Sequence, residues 1–330
     1  MIDLKQQFAG RAQPLFPHYT DPDVTDILIN GTKSLYIEKD GALTPIPSPF
    51  ESPSDLFDFI ERLLLPIGRR IDAARPYLDG RLPDGGRFNI LLPPLAVDGP
   101  CISIRKPRPS AAISLDHFGD RRAIHWLHSA IQCRTNILIG GGTGSGKTTL
   151  VGRLLDRIEA TERLVLIEES SEIQTTHPHS IRLETRPLTP EGVGAVSARE
   201  LLRNALRMRP DRLVLGECRG EEAFDLIQAL NTGHSGSLGT IHANSCLDAL
   251  RRVEALVLLT GFSLNPLVVR QWVASAIGAV VHLEKCGAQR SIRQVIELSG
   301  LEGDHYRFCP LFESSVRSPH PLYSDGLNVL

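Results

Sequence analysis

The chain has 330 residues, a formal net charge of −2 and 42% hydrophobic residues. This length exceeds what one hydrophobic core usually supports, so two domains are expected. The slightly acidic charge and the 5% content of aromatic residues argue against a nucleic-acid motor, which needs a basic or aromatic-lined track for a strand. The six cysteines are scattered, which argues against a zinc ribbon or a disulfide framework.

Two features of the sequence bear on its location. The first residues, MIDLKQQFAGRAQPLF, lack the basic and then apolar layout of a signal peptide. The most apolar later segments, ALVLLTGF and VASAIGAVVHL, are much shorter than a membrane span. We therefore expect a cytoplasmic protein with no direct membrane insertion.

The first hundred residues predict a small α+β domain. Asn30-Gly31 and Asp40-Gly41 are dipeptides typical of hairpin turns, and apolar residues lie between them. The amphipathic segment SDLFDFIERLLLPIG has apolar residues at helical spacing. We place a PAS-like amino-terminal domain at residues 1–106, followed by a proline-containing linker at 107–119.

The remaining chain predicts an α/β domain over residues 120–315. Apolar runs such as NILIG, RLVLIE and DRLVLGE alternate with helical stretches, as in a parallel sheet covered by helices. One helix is clearly delimited, because Ser197 and Glu200 form a capping box and Pro210 follows its end. Residues 316–330 resemble a carboxy-terminal tail.

The segment GGTGSGKT, between NILIG and an apolar helical run, is a full match to the phosphate-loop pattern. Glycines allow successive backbone N–H groups to surround phosphates, and the following helix adds its positive end. Lys147 is expected to reach the β and γ phosphates, and the Thr148 hydroxyl to coordinate Mg²⁺. The predicted nucleotide-binding residues are Gly141, Gly142, Thr143, Gly144, Ser145, Gly146, Lys147, Thr148 and Thr149.

Acidic residues end two later apolar runs, LVLIEESSE and LVLGECRG. The first run supplies Glu168, Glu169 and Glu172, and the second supplies Glu217. They are candidates for holding the metal and orienting water, at the carboxyl ends of the strands, where a parallel sheet places its ligands. The second run departs from the usual phosphate-loop enzyme, since Gly216 stands where an aspartate is expected and Glu217 follows it. Strand alternation predicts that this shift turns the acid to the other face.

These motifs, together with the histidine-containing TGHSGSLGTIHA, resemble in order those of the hexameric ATPases of type II and type IV secretion and of type IV pili. Within that group, MRPDRLVLGECRG and NTGHSGSLGTIHANS are most similar to the Tad/Flp pilus ATPases of the CpaF type, with conjugation-type secretion ATPases as the nearest alternative. The resemblance implies a RecA-like motor that hydrolyses ATP with Mg²⁺, and Thr148, Glu168 and Glu217 as the metal site.

The resemblance also implies roles for individual side chains. Glu168 and Glu172 would lie near metal and water, Glu217 would be the catalytic-strand acid, and His234 and His242 the histidine pair. Arginines of the first domain bind the nucleotide's phosphates in such hexamers, and the matching residues are Arg87 and Arg105. Arg219 is a weaker candidate, and a structural ion pair is the alternative for all three arginines.

For the histidines, sensing of the γ phosphate and relay to a neighbouring subunit is one interpretation. A hydrogen-bonded structural role is the alternative, above all for His234, whereas zinc ligation is poorly supported without a third ligand.

The resemblance further implies a homohexamer that acts through an inner-membrane platform protein, with nucleotide bound between the domains and near a subunit boundary. The ring would be peripheral to the inner membrane and would bind no nucleic acid. The competing interpretations are a nucleic-acid motor and a scaffold that binds ATP without hydrolysing it.

Overall fold

The structure is a computed structural model that describes residues 4–39, 41–107, 113–186, 194–287 and 289–314. Its contacts divide the chain into two compact units, Met1–Pro109 and Ser110–Leu330. The segment predicted as the tail, residues 316–330, lies outside the described residues, as do residues 108–112 of the predicted linker. No helix within the described ranges is long and apolar enough to cross a membrane.

The first unit contains an antiparallel six-stranded sheet with the order β3-β2-β1-β6-β5-β4. Its strands are β1 (Val24–Asn30), β2 (Ser34–Lys39), β3 (Ala42–Ile46), β4 (Tyr77–Arg81), β5 (Arg87–Leu91) and β6 (Cys101–Arg105). Its α-helices are α1 (Leu4–Gln7), α2 (Phe16–Thr20) and α3 (Pro53–Leu64), and two 3-10 helices cover Gly10–Leu15 and Leu65–Ile67.

Helix α3 shows why the predicted amphipathic segment is helical. The Ser52 side chain accepts from the backbone N–H of Asp55, whose carboxylate accepts from the backbone of Ser52, and Pro53 occupies the first turn. Its buried side chains are Leu56, Phe59, Ile60, Leu63 and Leu64. They pack into the core on one face of the sheet, so the predicted α+β character of this unit is confirmed.

The second unit contains an eight-stranded sheet with the order β14-β13-β12-β7-β11-β10-β8-β9. Its strands are β7 (Ile137–Gly141), β8 (Leu164–Glu168), β9 (Ser180–Glu184), β10 (Arg212–Leu215), β11 (Leu238–Ile241), β12 (Ala279–Cys286), β13 (Gln289–Glu302) and β14 (His305–Glu313). Its helices are α4 (Arg121–Gln132), α5 (Lys147–Leu155), α6 (Ala198–Ala205), α7 (Glu222–Asn231), α8 (Cys246–Leu258) and α9 (Pro266–Ala276). Strands β12 to β9 in that order are parallel, and β13 and β14 extend the sheet in antiparallel fashion.

Helices cover both faces of this sheet, and a hydrophobic core lies on each face. Leu138 of β7 contributes to one core and its neighbours Ile137 and Ile139 to the other, as strand alternation requires. Strands buried on both faces explain the continuous apolar runs in the sequence. The predicted α/β class is confirmed, and so is the capping box of α6.

One part of the predicted linker has regular secondary structure and is buried. Residues 115–118, within the predicted linker, form a short 3-10 helix whose ends, Leu115 and Phe118, are 3% and 2% exposed. Both side chains belong to the core that also contains helices α4 and α5. This part of the chain therefore packs as an element of the second unit.

Candidate functional site

The phosphate loop leaves the end of β7 and continues directly into α5, which begins at Lys147. Gly144 and Gly146 have φ angles of +70° and +96°, a region that favours glycine. A Cβ at Gly141 would lie 2.6 Å from the carbonyl oxygen of Leu283. The glycines at these positions thus meet conformational and steric demands of the loop itself, in addition to leaving room for phosphates.

Lys147 is buried within the loop that it follows. Its Nζ donates hydrogen bonds to the carbonyl oxygens of Gly141 at 2.9 Å and Gly142 at 3.0 Å. Burial lowers the pKa of the Lys147 ammonium, and the nearby carboxylate of Glu217 opposes this shift. The loop's own carbonyls thus hold the ammonium at the start of α5.

Glu168 ends β8 and is 4% exposed. Its Oε1 accepts hydrogen bonds from the backbone N–H groups of Glu172 and Ile173, at 2.8 and 2.9 Å. Its Oε2 is buried and has no hydrogen-bond partner among the residues that the structure describes. Burial raises the pKa of this carboxyl above its usual value. One oxygen is therefore fixed by the backbone, and Nη2 of Arg182 lies 4.0 Å from the other, beyond hydrogen-bond distance.

Gly216 has a specific reason for standing where an aspartate was expected. A Cβ at this position would lie 2.7 Å from Cγ of Glu168, which comes from the neighbouring strand β8. Any side chain here would displace the buried Glu168 carboxylate. The two positions are thus complementary, and the second acid is supplied one residue later by Glu217.

Glu217 meets two predicted site residues. Its Oε2 accepts a hydrogen bond from Nη2 of Arg219 at 2.6 Å, and Nε2 of His242 lies 2.8 Å from its Oε1, although that approach lacks hydrogen-bond alignment. Arg219 also contacts the carboxylate of Glu169. Burial, followed by the charge of Lys147, lowers the pKa of the His242 imidazole, which favours the neutral ring.

His234 is not part of this group. Strand β11 begins at Leu238 and ends at Ile241, so it separates His234, before it, from His242, after it. His234 therefore lies at the edge of the sheet opposite to the phosphate loop, where its Nδ1 is 3.1 Å from the carbonyl oxygen of Ala229. The apolar LGTI run between the histidines already signals this separation.

The first-domain arginines lie together on neighbouring strands. Arg87 of β5 is the register partner of Arg105 on β6, and Arg81 of β4 is the partner of Arg87. Directly opposite residues point to the same face, so three guanidinium side chains share one row, with Asp26 beyond Arg105. Like charges directly opposite each other destabilise a sheet, and Asp26 supplies an opposite charge at one end of the row.

Three residues near these sites were not found from the sequence. Arg81 is revealed by strand register. Arg290 donates from Nε to the carbonyl oxygen of Gly144 at 2.9 Å across 146 sequence positions, and no local pattern signals such a contact. The Phe118 ring approaches the loop at Gly146, although its segment had been interpreted as a linker.

The side chains around the phosphate loop suit a magnesium ion that the protein and a nucleotide's phosphates hold together. Among the described residues, no group of three or more histidine, cysteine or acidic side chains could hold a metal by itself. Mg²⁺ at phosphate sites instead takes one or two protein oxygens, substrate phosphates and water. The buried Oε2 of Glu168, which accepts no hydrogen bond from the described residues, and the hydroxyl of Thr148 in the first turn of α5 meet that requirement.

Comparison with known proteins identifies the class to which this fold and site belong. The sequence profile of the type II/IV secretion system protein family matches residues 11–300, and the chain belongs to this family. The family's secretion function agrees with the broader resemblance drawn from the motifs.

Individual relatives are similar over most of the chain. A protein of Mycobacterium tuberculosis strain H37Rv that is named as a conjugal transfer protein is 36% identical over 306 residues. The match covers 89% of this chain and 86% of that protein. Conjugal transfer protein TrbB of Rhizobium radiobacter is 35% identical over 303 residues, 87% of each chain. The structure of the Legionella pneumophila ATPase DotB is 21% identical to this chain, and the match covers 84% of this chain and 78% of the DotB chain. The TM-score is 0.60, which shows the same fold.

Proposed function

We propose that this protein is an ATP hydrolase that powers conjugation-type secretion. The observation that carries the proposal is the cluster of side chains at the carboxyl ends of the parallel strands in the second sheet. There the phosphate loop with Lys147 lies within electrostatic reach of Glu217, Arg219 and His242. A phosphate-binding loop, an acid and two cationic or proton-carrying groups at one edge are the parts that phosphoryl transfer to water needs.

In this proposal, each side chain acts on the nucleotide or on water. The loop N–H groups and Lys147 bind the phosphates, which displace the carbonyls that now hold the ammonium. Glu217, oriented by Arg219, positions the attacking water. Thr148 and Glu168 hold Mg²⁺, which neutralises phosphate charge when bound.

The arginine row supplies further positive charge. Arg87 and Arg105 are proposed to contact the phosphates, since a guanidinium fork stabilises the charge that spreads over the transferred phosphoryl group. Their placement on adjacent strands, at directly opposite positions, supports a shared anionic ligand.

The names of the relatives favour conjugal transfer over the Tad/Flp pilus that the motifs suggested. TrbB and the mycobacterial protein are both named for conjugal transfer, and each matches nearly nine tenths of this chain. The Tad/Flp assignment has no support from these names. We therefore propose the conjugation-type role, with a homohexameric ring that works on an inner-membrane platform protein and is peripheral to that membrane.

The test is the mass of the purified protein in solution with and without Mg-ATP, together with the ATPase rate across protein concentration. We expect a hexamer whose specific activity rises as it assembles. A monomer with full activity would contradict the shared ring, and a protein without ATPase activity at any concentration would contradict the proposed hydrolysis.

A further inference from the structure

The hairpin formed by β12 and β13 reaches the phosphate loop. Leu283 of β12 is the register partner of Gly141, the first loop residue. Beyond this point the hairpin continues past the end of β7, and Lys285 and Arg290 face each other near its turn. The hairpin therefore carries two basic residues to the side of the loop, and Arg290 contacts it directly.

The Arg290 contact fixes the direction of one loop peptide. Its Nε donates to the carbonyl oxygen of Gly144 at 2.9 Å. That carbonyl and the N–H of Ser145 belong to the same planar trans peptide, in which they point in opposite directions. With the carbonyl held outward, the Ser145 N–H faces into the loop, where it donates to the Gly142 carbonyl oxygen at 3.3 Å.

Two side chains also pack against the loop on the side where Arg290 lies. A Cβ at Gly146 would lie 3.0 Å from Cδ of Arg290 and 3.1 Å from Cε1 of Phe118. The arginine stem and the buried ring thus lie against the loop backbone immediately before Lys147. One side chain therefore provides both a donor to the loop and apolar contact with it.

We propose that Arg290 is a positioning residue that holds the phosphate loop ready for a nucleotide's phosphates. This inference rests on the proposed nucleotide binding and adds a residue to it. The loop must present backbone N–H groups to phosphate, and a donor that keeps the Ser145 N–H turned inward removes part of the ordering cost of binding. Arg290 acts through the loop and does not itself need to touch the ligand.

The experiment compares ADP affinity in four full-length proteins: the unmodified chain, Arg290→Met, Arg290→Lys and Arg293→Ala. Methionine keeps an apolar stem against Gly146 but removes the donor, so we expect about tenfold weaker ADP binding. Lysine retains a donor and should recover affinity to within about threefold. Arg293→Ala is the matched control on the same strand, where Arg293 contacts the Ser314 carbonyl, and should bind ADP as the unmodified chain does.

Amide hydrogen exchange in the loop separates positioning from general stability. In Arg290→Met without nucleotide, we expect faster exchange in residues 142–146 and unchanged exchange in the core strands. Unchanged ADP affinity and loop exchange in Arg290→Met would overturn the inference. An unmodified chain that binds no ADP would instead overturn the proposed function, so the two failures are distinguishable.

Discussion

The two ends of the parallel strands in the eight-stranded sheet differ in how their buried charges are paired. The amino edge is where these strands begin, and the carboxyl edge is where they end. At the amino edge, Arg212 is 2% exposed and its guanidinium is fully engaged. It donates to both carboxylate oxygens of Glu162, at 2.8 and 2.7 Å, and to the carbonyl oxygens of Ile131 and Gly236. This bidentate ion pair lowers the pKa of Glu162 and joins the ends of several elements.

At the carboxyl edge, buried polar groups are only partly satisfied. Glu168 has one oxygen bound by backbone N–H groups, while its other oxygen and the Ser145 hydroxyl have no hydrogen-bond partner among the described residues. Leaving buried polar atoms unpaired costs stability and is rare in native proteins. The Arg212–Glu162 pair at the amino edge therefore stabilises the fold, whereas Glu168 and Ser145 at the carboxyl edge retain groups for a ligand.

The largest expected effect is at the amino edge. Arg212→Ala would leave Glu162 paired only with the more exposed Arg134. Removal of one member of a buried pair costs about 3–5 kcal/mol, and the remaining pair with Arg134 places the expected loss at the lower end of that range. Denaturant unfolding measures this loss, and titration with ADP should show unchanged affinity in protein that remains folded. Weaker ADP binding with unchanged unfolding free energy would contradict the division of roles between the two edges.

Lys147→Ala is the corresponding change at the carboxyl edge. We expect nucleotide affinity to fall about a hundredfold, because the variant loses a charged contact to phosphate in a buried site. The free energy of unfolding should not fall, since burial already disfavours the charged ammonium. Calorimetric titration with ADP and denaturant unfolding test both parts, and a destabilised variant with retained ADP binding would contradict them.

The histidines sharpen the comparison because one lies at each edge. His242→Ala should slow ATP hydrolysis about tenfold and reduce cooperativity in ATP, since the ring contacts Glu217. His234→Ala should leave hydrolysis unchanged and lower stability by about 1 kcal/mol through the lost contact with the Ala229 carbonyl. Equal effects of the two substitutions on the ATPase rate would contradict a catalytic role for His242 and a structural role for His234.

Much of the second unit follows from local sequence pattern. Apolar runs without alternation predicted strands buried on both faces, and Ser197 with Glu200 predicted the start of α6, because a capping box involves neighbours in sequence. The phosphate loop was equally predictable, since its glycines meet local backbone demands. Strand order and the antiparallel strands β13 and β14 were not predicted, because pairing over long sequence distance leaves no short-range pattern.

The site shows the same limit. The residue types at Lys147 and Glu217 indicated their chemistry, but the reason for Gly216 lies in the side chain of Glu168 on another strand. Arg290 was missed for a similar reason, since its partner Gly144 belongs to a distant segment. Local motifs thus identified the groups that bind a ligand, whereas the groups that hold them in place required the tertiary structure.

The smallest expected effect concerns the buried carboxyl of Glu168. Burial raises its pKa in the folded state, so at a pH between the unfolded and the folded pKa the folded protein retains a proton that the unfolded chain has lost. Its contribution to stability is therefore present at low pH and is lost as the pH rises through the folded pKa. Glu168→Gln removes this titration, and its Tm relative to the unmodified chain should rise by roughly 2–4 °C between pH 5 and pH 8.

Thermal unfolding of both proteins across that pH range is the measurement. Glu61→Gln, at an exposed position of α3, is the control for the change of one charge. A Tm difference between Glu168→Gln and the unmodified chain that shrinks as the pH rises would contradict the burial argument.

We infer that the carboxyl edge hydrolyses ATP, and the variant Glu217→Gln tests this claim. The measurement is multiple-turnover ATP hydrolysis by the unmodified chain and by this variant, with ATP affinity determined separately for both. We expect the unmodified chain to turn over, and the variant to bind ATP with similar affinity but to hydrolyse it about a hundredfold more slowly. Equal turnover in the two proteins would contradict the role of Glu217, and no turnover in the unmodified chain would contradict the claim itself.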